Sequence, residues 1–228
     1  MNHPPMRRAP IKRGSASLQL HDSLRERILG LDLEPGQALS RAEIAAEYRV
    51  SLTPVRDALI KLEEEGLIDT FPQSKTEVSK IDIAHAQETH FLRLSLELEI
   101  VRRLAEGTGQ GATKPARSIL AQQIAARDSR DLAAFSRLDR AFHLALYEAA
   151  GMQALYGVID ARSGHIDRLR KLNLPDPGKT LSIIDCHARI LDGIDAKDPA
   201  AACAALREHL SGTLAMANVI RDRHPDYF

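Results

Sequence analysis

The chain has 228 residues, 44% of them apolar, with 31 Lys and Arg balanced by 31 Asp and Glu. That length exceeds the common single-domain size and supplies one large core and a smaller one. Neutrality excludes a protein that coats polyanions along its whole surface, so any nucleic-acid contact must come from a local patch. Aromatic content of 4% without Trp, and the abundance of Ala, Leu, Ile, Arg and Glu, favour helices over sheets and predict a mainly α fold. No apolar run is long enough to span a bilayer, and no secretory pattern opens the sequence. A soluble cytoplasmic protein without membrane attachment follows, with Cys186 and Cys203 reduced.

In chain order, residues 1–15 carry three Pro and the basic Arg7, Arg8, Lys12 and Arg13 without an apolar period, and are expected to form a flexible basic arm. Leu18, Leu24, Ile28 and Leu29 are spaced for one helical face before the turn Glu34-Pro35-Gly36. Ser40 can cap a short second helix bearing Ile44, Ala45 and Tyr48. A third helix starts at Ser51–Pro54, because proline is tolerated where first-turn N–H groups lack partners, and its stripe of Val55, Leu59 and Leu62 runs to Gly66. Two short β-prone pieces, 67–71 and 76–79, flank Pro72-Gln73-Ser74-Lys75. Three helices and a hairpin over 16–80 make a winged helix-turn-helix. From Asp82 only helical periods occur, over 82–106, 113–127, 131–150, 151–172, 179–196 and 198–221, which predicts a six-helix bundle spanning 82–223.

Polar residues interrupt the bundle's apolar stripes. Asp139 lies between Phe135 and Phe142, and His143 follows one turn later on the same face. His187 stands among Ile183, Ile184, Ile190, Leu191 and Ile194, and His209 among Ala202, Leu206, Thr213, Met216 and Ile220. A lone His on such a stripe is commonly a core imidazole bonded to a carbonyl. Three, with an inward carboxylate that would cost several kcal/mol unpaired, point instead to one shared divalent cation. Imidazole and carboxylate donors suit Zn, with Ni, Mn, Fe or Co as alternatives. Binding is expected to weaken below about pH 6 as imidazoles protonate. Arg93, one turn from Glu97, and Arg162, which interrupts Leu155, Ile159, Ile166 and Leu169, are either salt-bridged or available to grip an effector carboxylate.

The segment Leu39–Leu67, above all Val50–Leu59 followed by Lys61–Ile68, resembles the DNA-binding domain of GntR-family transcription regulators. The remainder resembles that family's FCD-type effector domain, with Arg93-Leu94-Ser95-Leu96-Glu97 as its opening motif and Asp139, His143, His187 and His209 at its metal-ligand positions. The resemblance implies a homodimer on a pseudo-palindromic double-stranded DNA operator, most simply a repressor, responding to a small carboxylate effector. It also implies that the third helix reads the major groove: Ser51 and Thr53 toward phosphate, Arg56 toward a guanine edge, Arg41 and Lys75 as phosphate clamps. Two departures bear on specificity. Leu52 stands where the family usually carries Arg, and the wing, Pro72–Thr76, lacks glycine. A metal-dependent enzyme whose open coordination position could activate water, and a constitutive architectural DNA binder with a structural metal, are the competing readings.

Overall fold

The computed structural model describes residues 16–228 apart from 73, 108–110 and 177, so the expected basic arm lies outside the described residues. The chain forms two compact units: one runs up to Ile81 and is completed by Asp226–Phe228, the other is Asp82–Pro225.

The first unit contains α1 (Ala16–Leu29), α2 (Arg41–Tyr48), α3 (Leu52–Glu64) and the hairpin β1 (Ile68–Thr70) and β2 (Thr76–Val78). Leu20, Leu24 and Ile28, at i, i+4 and i+8 on α1, are fully buried against Val55, Leu59 and Leu62 of α3 and Leu67, Ile68 and Val78 of the hairpin. Leu18, expected on this face, is exposed because its six-residue spacing to Leu24 puts it out of phase; Leu20 takes the place. The Ser40 side chain caps α2 by accepting from Glu43 N at 3.3 Å. α3 ends in a Schellman arrangement: Gly66, at φ 70°, donates to Glu63 O, and Leu67 N donates to Leu62 O. The strands pair antiparallel as Ile68 with Val78 and Thr70 with Thr76. Residues 36–39 widen the hairpin, with Leu39 N donating to Thr76 O and Val78 N to Gln37 O. Ile81 N donates to Tyr227 O at 2.8 Å, and Tyr227 Oη lies 3.1 Å from Glu34 Oε1, which ties the last residues into this unit.

The second unit is α4 (Ile83–Glu106), α5 (Lys114–Asp128), α6 (Leu132–Ala149), α7 (Gln153–Arg162), α8 (Gly164–Asn173), α9 (Lys179–Asp195), α10 (Pro199–Leu214) and α11 (Ala217–Arg223). Asp82, Asp131 and Asp198 each cap a helix by accepting a first-turn N–H. Two of the six expected helices are broken. At Ser163 the amide bonds to Asp160 O, a tightened turn, while the hydroxyl donates back to Ile159 O, so α7 and α8 are separate. The second break is at Ala215–Met216, where Met216 N reaches only to Thr213 O. Ile100, Val101, Phe142, Leu146, Ile190, Leu191 and Leu206 form the central core. α9 and α10 come unusually close at Gly193, where an added Cβ would lie 2.7 Å from Ala202 N.

Candidate functional site

The apolar stripes of α6, α9 and α10 all face one core, and so the polar residues that interrupt them meet there. Asp139, His143, His187 and His209 are between 0 and 8% exposed. One donor atom from each lies within 4.8 Å of all the others. His143 Nε2 is 3.0 Å and His187 Nε2 3.4 Å from His209 Nε2, and His187 Nε2 is 3.4 Å from Asp139 Oδ1. Phe142 stacks on the His187 ring at 3.7 Å between centroids, fixing its plane.

The outer nitrogens of His187 and His143 face partners of their own. His187 Nδ1 donates to Gln123 Oε1 at 2.9 Å, and His143 Nδ1 is 2.7 Å from Glu97 Oε2, close but poorly aligned. Each partner places the ring proton on Nδ1 and leaves the Nε2 lone pair facing the cluster. Asp139 Oδ1 is buried there with no hydrogen-bond donor. Lone pairs and a carboxylate oxygen converging in a buried space repel one another unless a proton or a cation sits among them, and the donor set fits a divalent metal such as Zn.

The protonation states agree with that role. Burial alone would raise the Asp139 carboxyl, but the Arg170 guanidinium at 3.6 Å and the nearby imidazoles hold it at about 2. Burial likewise opposes ionisation of Glu97, yet Arg93 and His143 bring it to about 2. Burial drives His187 down to about 3 despite Asp139, and lowers His209 too, so both rings are neutral near pH 7.

Arg93 is 4% exposed and donates from Nε to Glu97 Oε1 at 2.8 Å. With Arg140, His143, Tyr156, Asp167 and Arg170 it lines a small, partly open cleft. Asp167 is also buried, and its Oδ2 has no hydrogen-bond partner. Arg162 is not among the lining residues: it is exposed and lies 3.5 Å from Glu88. The break at Ser163 is the reason, since the stripe that assigned Arg162 inward assumed one unbroken helix. Arg170 and Arg140, which no break in an apolar stripe marks out in the sequence, face the cleft instead. Glu97 and Gln123 were legible by the rule that found the histidines, as polar residues on the buried faces of α4 and α5.

In the first unit, Ser51, Leu52, Thr53 and Arg56 are all exposed on the first two turns of α3, and Arg41 is exposed at the start of α2. The Ser51 side chain makes no capping bond. Lys75 Nζ lies 2.5 Å from Glu77 Oε2 and 5.2 Å from the Phe71 ring centroid, at the tip of the hairpin. In the acidic run, Glu65 is turned back onto α1, within 2.7 Å of His21 Nε2 and 2.8 Å of Arg25 Nε.

A helix-turn-helix with a β-hairpin wing, followed in the same chain by an all-helical unit with a buried His/Asp cluster, defines a DNA-binding regulator. Family profiles agree: residues 16–78 match "Bacterial regulatory proteins, gntR family", and residues 88–212 match the FCD domain. The chain belongs to the GntR family of bacterial regulators and carries that family's FCD domain. An uncharacterized HTH-type transcriptional regulator in an unstable DNA locus of Streptomyces ambofaciens is 35% identical, over 90% of this chain and 86% of that one. The HTH-type transcriptional repressor RspR of Escherichia coli strain K12 is 30% identical over 92% of each chain. Among solved structures, E. coli McbR/YncC superposes with a TM-score of 0.76 at 22% identity, covering 92% of this chain and 99% of that one, a likeness of fold. The protein is therefore a DNA-binding transcriptional regulator, in a family of regulators rather than enzymes. No helix among the described residues is long and apolar enough to cross a membrane.

Proposed function

We propose that this regulator is a cytoplasmic homodimeric repressor that binds a pseudo-palindromic operator and releases it when a small carboxylate effector enters the bundle of residues 82–223. One divalent cation, Zn by donor chemistry with Ni, Mn, Fe or Co as alternatives, is held by Asp139, His143, His187 and His209. The observation that carries this reading is the convergence of three imidazole nitrogens and an ionised carboxylate within 4.8 Å. Bound there, the cation supplies Lewis-acid coordination positions for an anionic ligand.

The protein groups do the rest. Glu97 and Gln123 fix the tautomers of His143 and His187. Arg93, held by Glu97, and Arg140 and Arg170 give the cleft positive charge for a carboxylate. On the DNA side, Ser51 and Thr53 address phosphate, Arg56 a guanine edge, and Arg41 and Lys75 clamp the backbone. Two copies are required because one winged helix gives a small footprint, and a two-fold dimer matches a two-fold operator. Repression is supported by the 30% identical relative that is named a repressor.

The test is operator release. Purified protein, metal-loaded or metal-stripped, is mixed with a labelled operator and a panel of organic acids. Release by one acid from loaded protein alone supports the reading. A normal response by metal-free protein leaves the four residues as a buried polar network, and no response to any acid favours an architectural binder with a structural metal.

A further inference from the structure

The first residue of α3 is a large apolar side chain left in solvent. Leu52 is 60% exposed, although Val55, Leu59 and Leu62 of the same helix are between 0 and 3% exposed in the core of the unit. Leu52 is therefore not a packing residue of its own fold. The exposed side chains around it include polar groups suited to a polyanion: Ser51, whose side chain makes no capping bond, Thr53, and Arg56 one turn along the same face. A leucine among them has no hydrogen bond to offer to phosphate or base.

The floor of the DNA major groove presents one kind of apolar group, the C5-methyl of thymine. We propose that Leu52 reads a thymine methyl, within about two base pairs of the base read by Arg56, the separation set by one helical turn against the base-pair rise. The inference rests on α3 being the recognition helix. Leucine selects twice. It removes a methyl from water, and it disfavours guanine beneath it, because the guanine O6 and N7 acceptors would be desolvated without a donor. The operator of this chain thus carries thymine where a guanidinium at position 52 would demand guanine.

Duplexes are first selected from a random pool by the full chain. Each thymine of the enriched site is then replaced in turn by deoxyuridine, which deletes the methyl and keeps every hydrogen-bonding group. One substitution near the guanine read by Arg56 is expected to weaken binding about four-fold, the value of one methyl-sized apolar contact. Leu52→Ala protein is expected to bind the thymine and uracil duplexes equally, and Leu52→Arg protein to enrich guanine at that position. Thermal unfolding checks that both variants fold, as exposure of Leu52 implies. Undiminished methyl sensitivity in Leu52→Ala, or no sensitivity at any thymine in the wild-type protein, overturns the proposal. Arg56→Ala separates this from its premise: unchanged affinity there removes α3 as the reading helix, whereas lost affinity without a methyl effect removes only the role of Leu52.

Discussion

His143 Nε2 and His209 Nε2 stand 3.0 Å apart in the core of the bundle, although the two residues are 66 positions apart in the chain. Glu97 beside the far nitrogen of His143 assigns the ring proton to that side, so the near nitrogen can only accept. The contact is thus two lone pairs aimed at a cation between them, unless His209 carries its proton on Nε2 and donates it to His143. His209 Nδ1, buried and without a partner, is an orphan in either tautomer. Metal analysis of purified protein is expected to give about one ion per chain, falling sharply in His143→Ala or His187→Ala.

Glu97 gives a sharper test because it lies outside the four candidate ligands. Glu97→Gln keeps the shape of the side chain and removes the charge that orients His143 and neutralises Arg93. Metal affinity is expected to drop about 10- to 100-fold with all four ligands intact. Competition with a chromophoric chelator measures it, and an unchanged affinity would confine Glu97 to pairing with Arg93.

Acid should destabilise the metal-stripped protein through His187. Its folded value, about 3, lies below the ordinary 6.5, so between those values the unfolded chain takes up a proton that the folded chain refuses. Stability is accordingly lost as pH falls from 6.5 toward 3, and His209, lowered by the same burial, steepens the loss. Glu97 and Asp139, both held at about 2, add a further loss below about pH 4. A melting temperature that stays level from pH 7 to 4 would contradict this.

Arg56→Ala is expected to weaken operator binding by about 1–3 kcal/mol, with a relaxed base preference at one position. Because Arg56 is exposed, the melting temperature should not change. Electrophoretic shift and thermal unfolding on the same preparation check both halves.

The dimer is expected to be held by the bundle. Phe91, on α4, is 73% exposed, and a phenyl ring so placed is stabilised by burial against a partner. Phe91→Glu should convert the full chain from dimer to monomer in sedimentation at micromolar concentration. A variant that stays dimeric moves the contact elsewhere.

Much of this architecture was legible because periodicity reports burial. Asp139, His143, His187 and His209 were each visible as polar residues at core positions, and the structure brings them together. Arg162 was misplaced because periodicity carries no information about breaks in phase. The Ser163 hydroxyl that bonds back to Ile159 O ends α7, and Ser-Gly in the sequence was too weak a signal to show it. Leu18 lies off the buried face of α1 because six residues from Leu24 is not a whole number of helical turns. The groups that orient the site, Gln123 and Arg170, come from helices that hold no ligand. Only the tertiary fold shows which of many buried or half-buried polar residues point at one another.

Gly193 acts on the cluster from a distance. Its bare backbone lets α9 and α10 touch at Ala202, about two helical turns from His187 on one side and from His209 on the other. The spacing of those two imidazoles is therefore gauged by a residue that has no side chain and meets neither ring. A methyl group at position 193 would wedge the helices apart and widen the aperture between the rings, shifting the preferred ion toward a larger radius while every donor atom stayed the same. At the proposed metal site the choice of ion would then be set partly by how closely two backbones can approach.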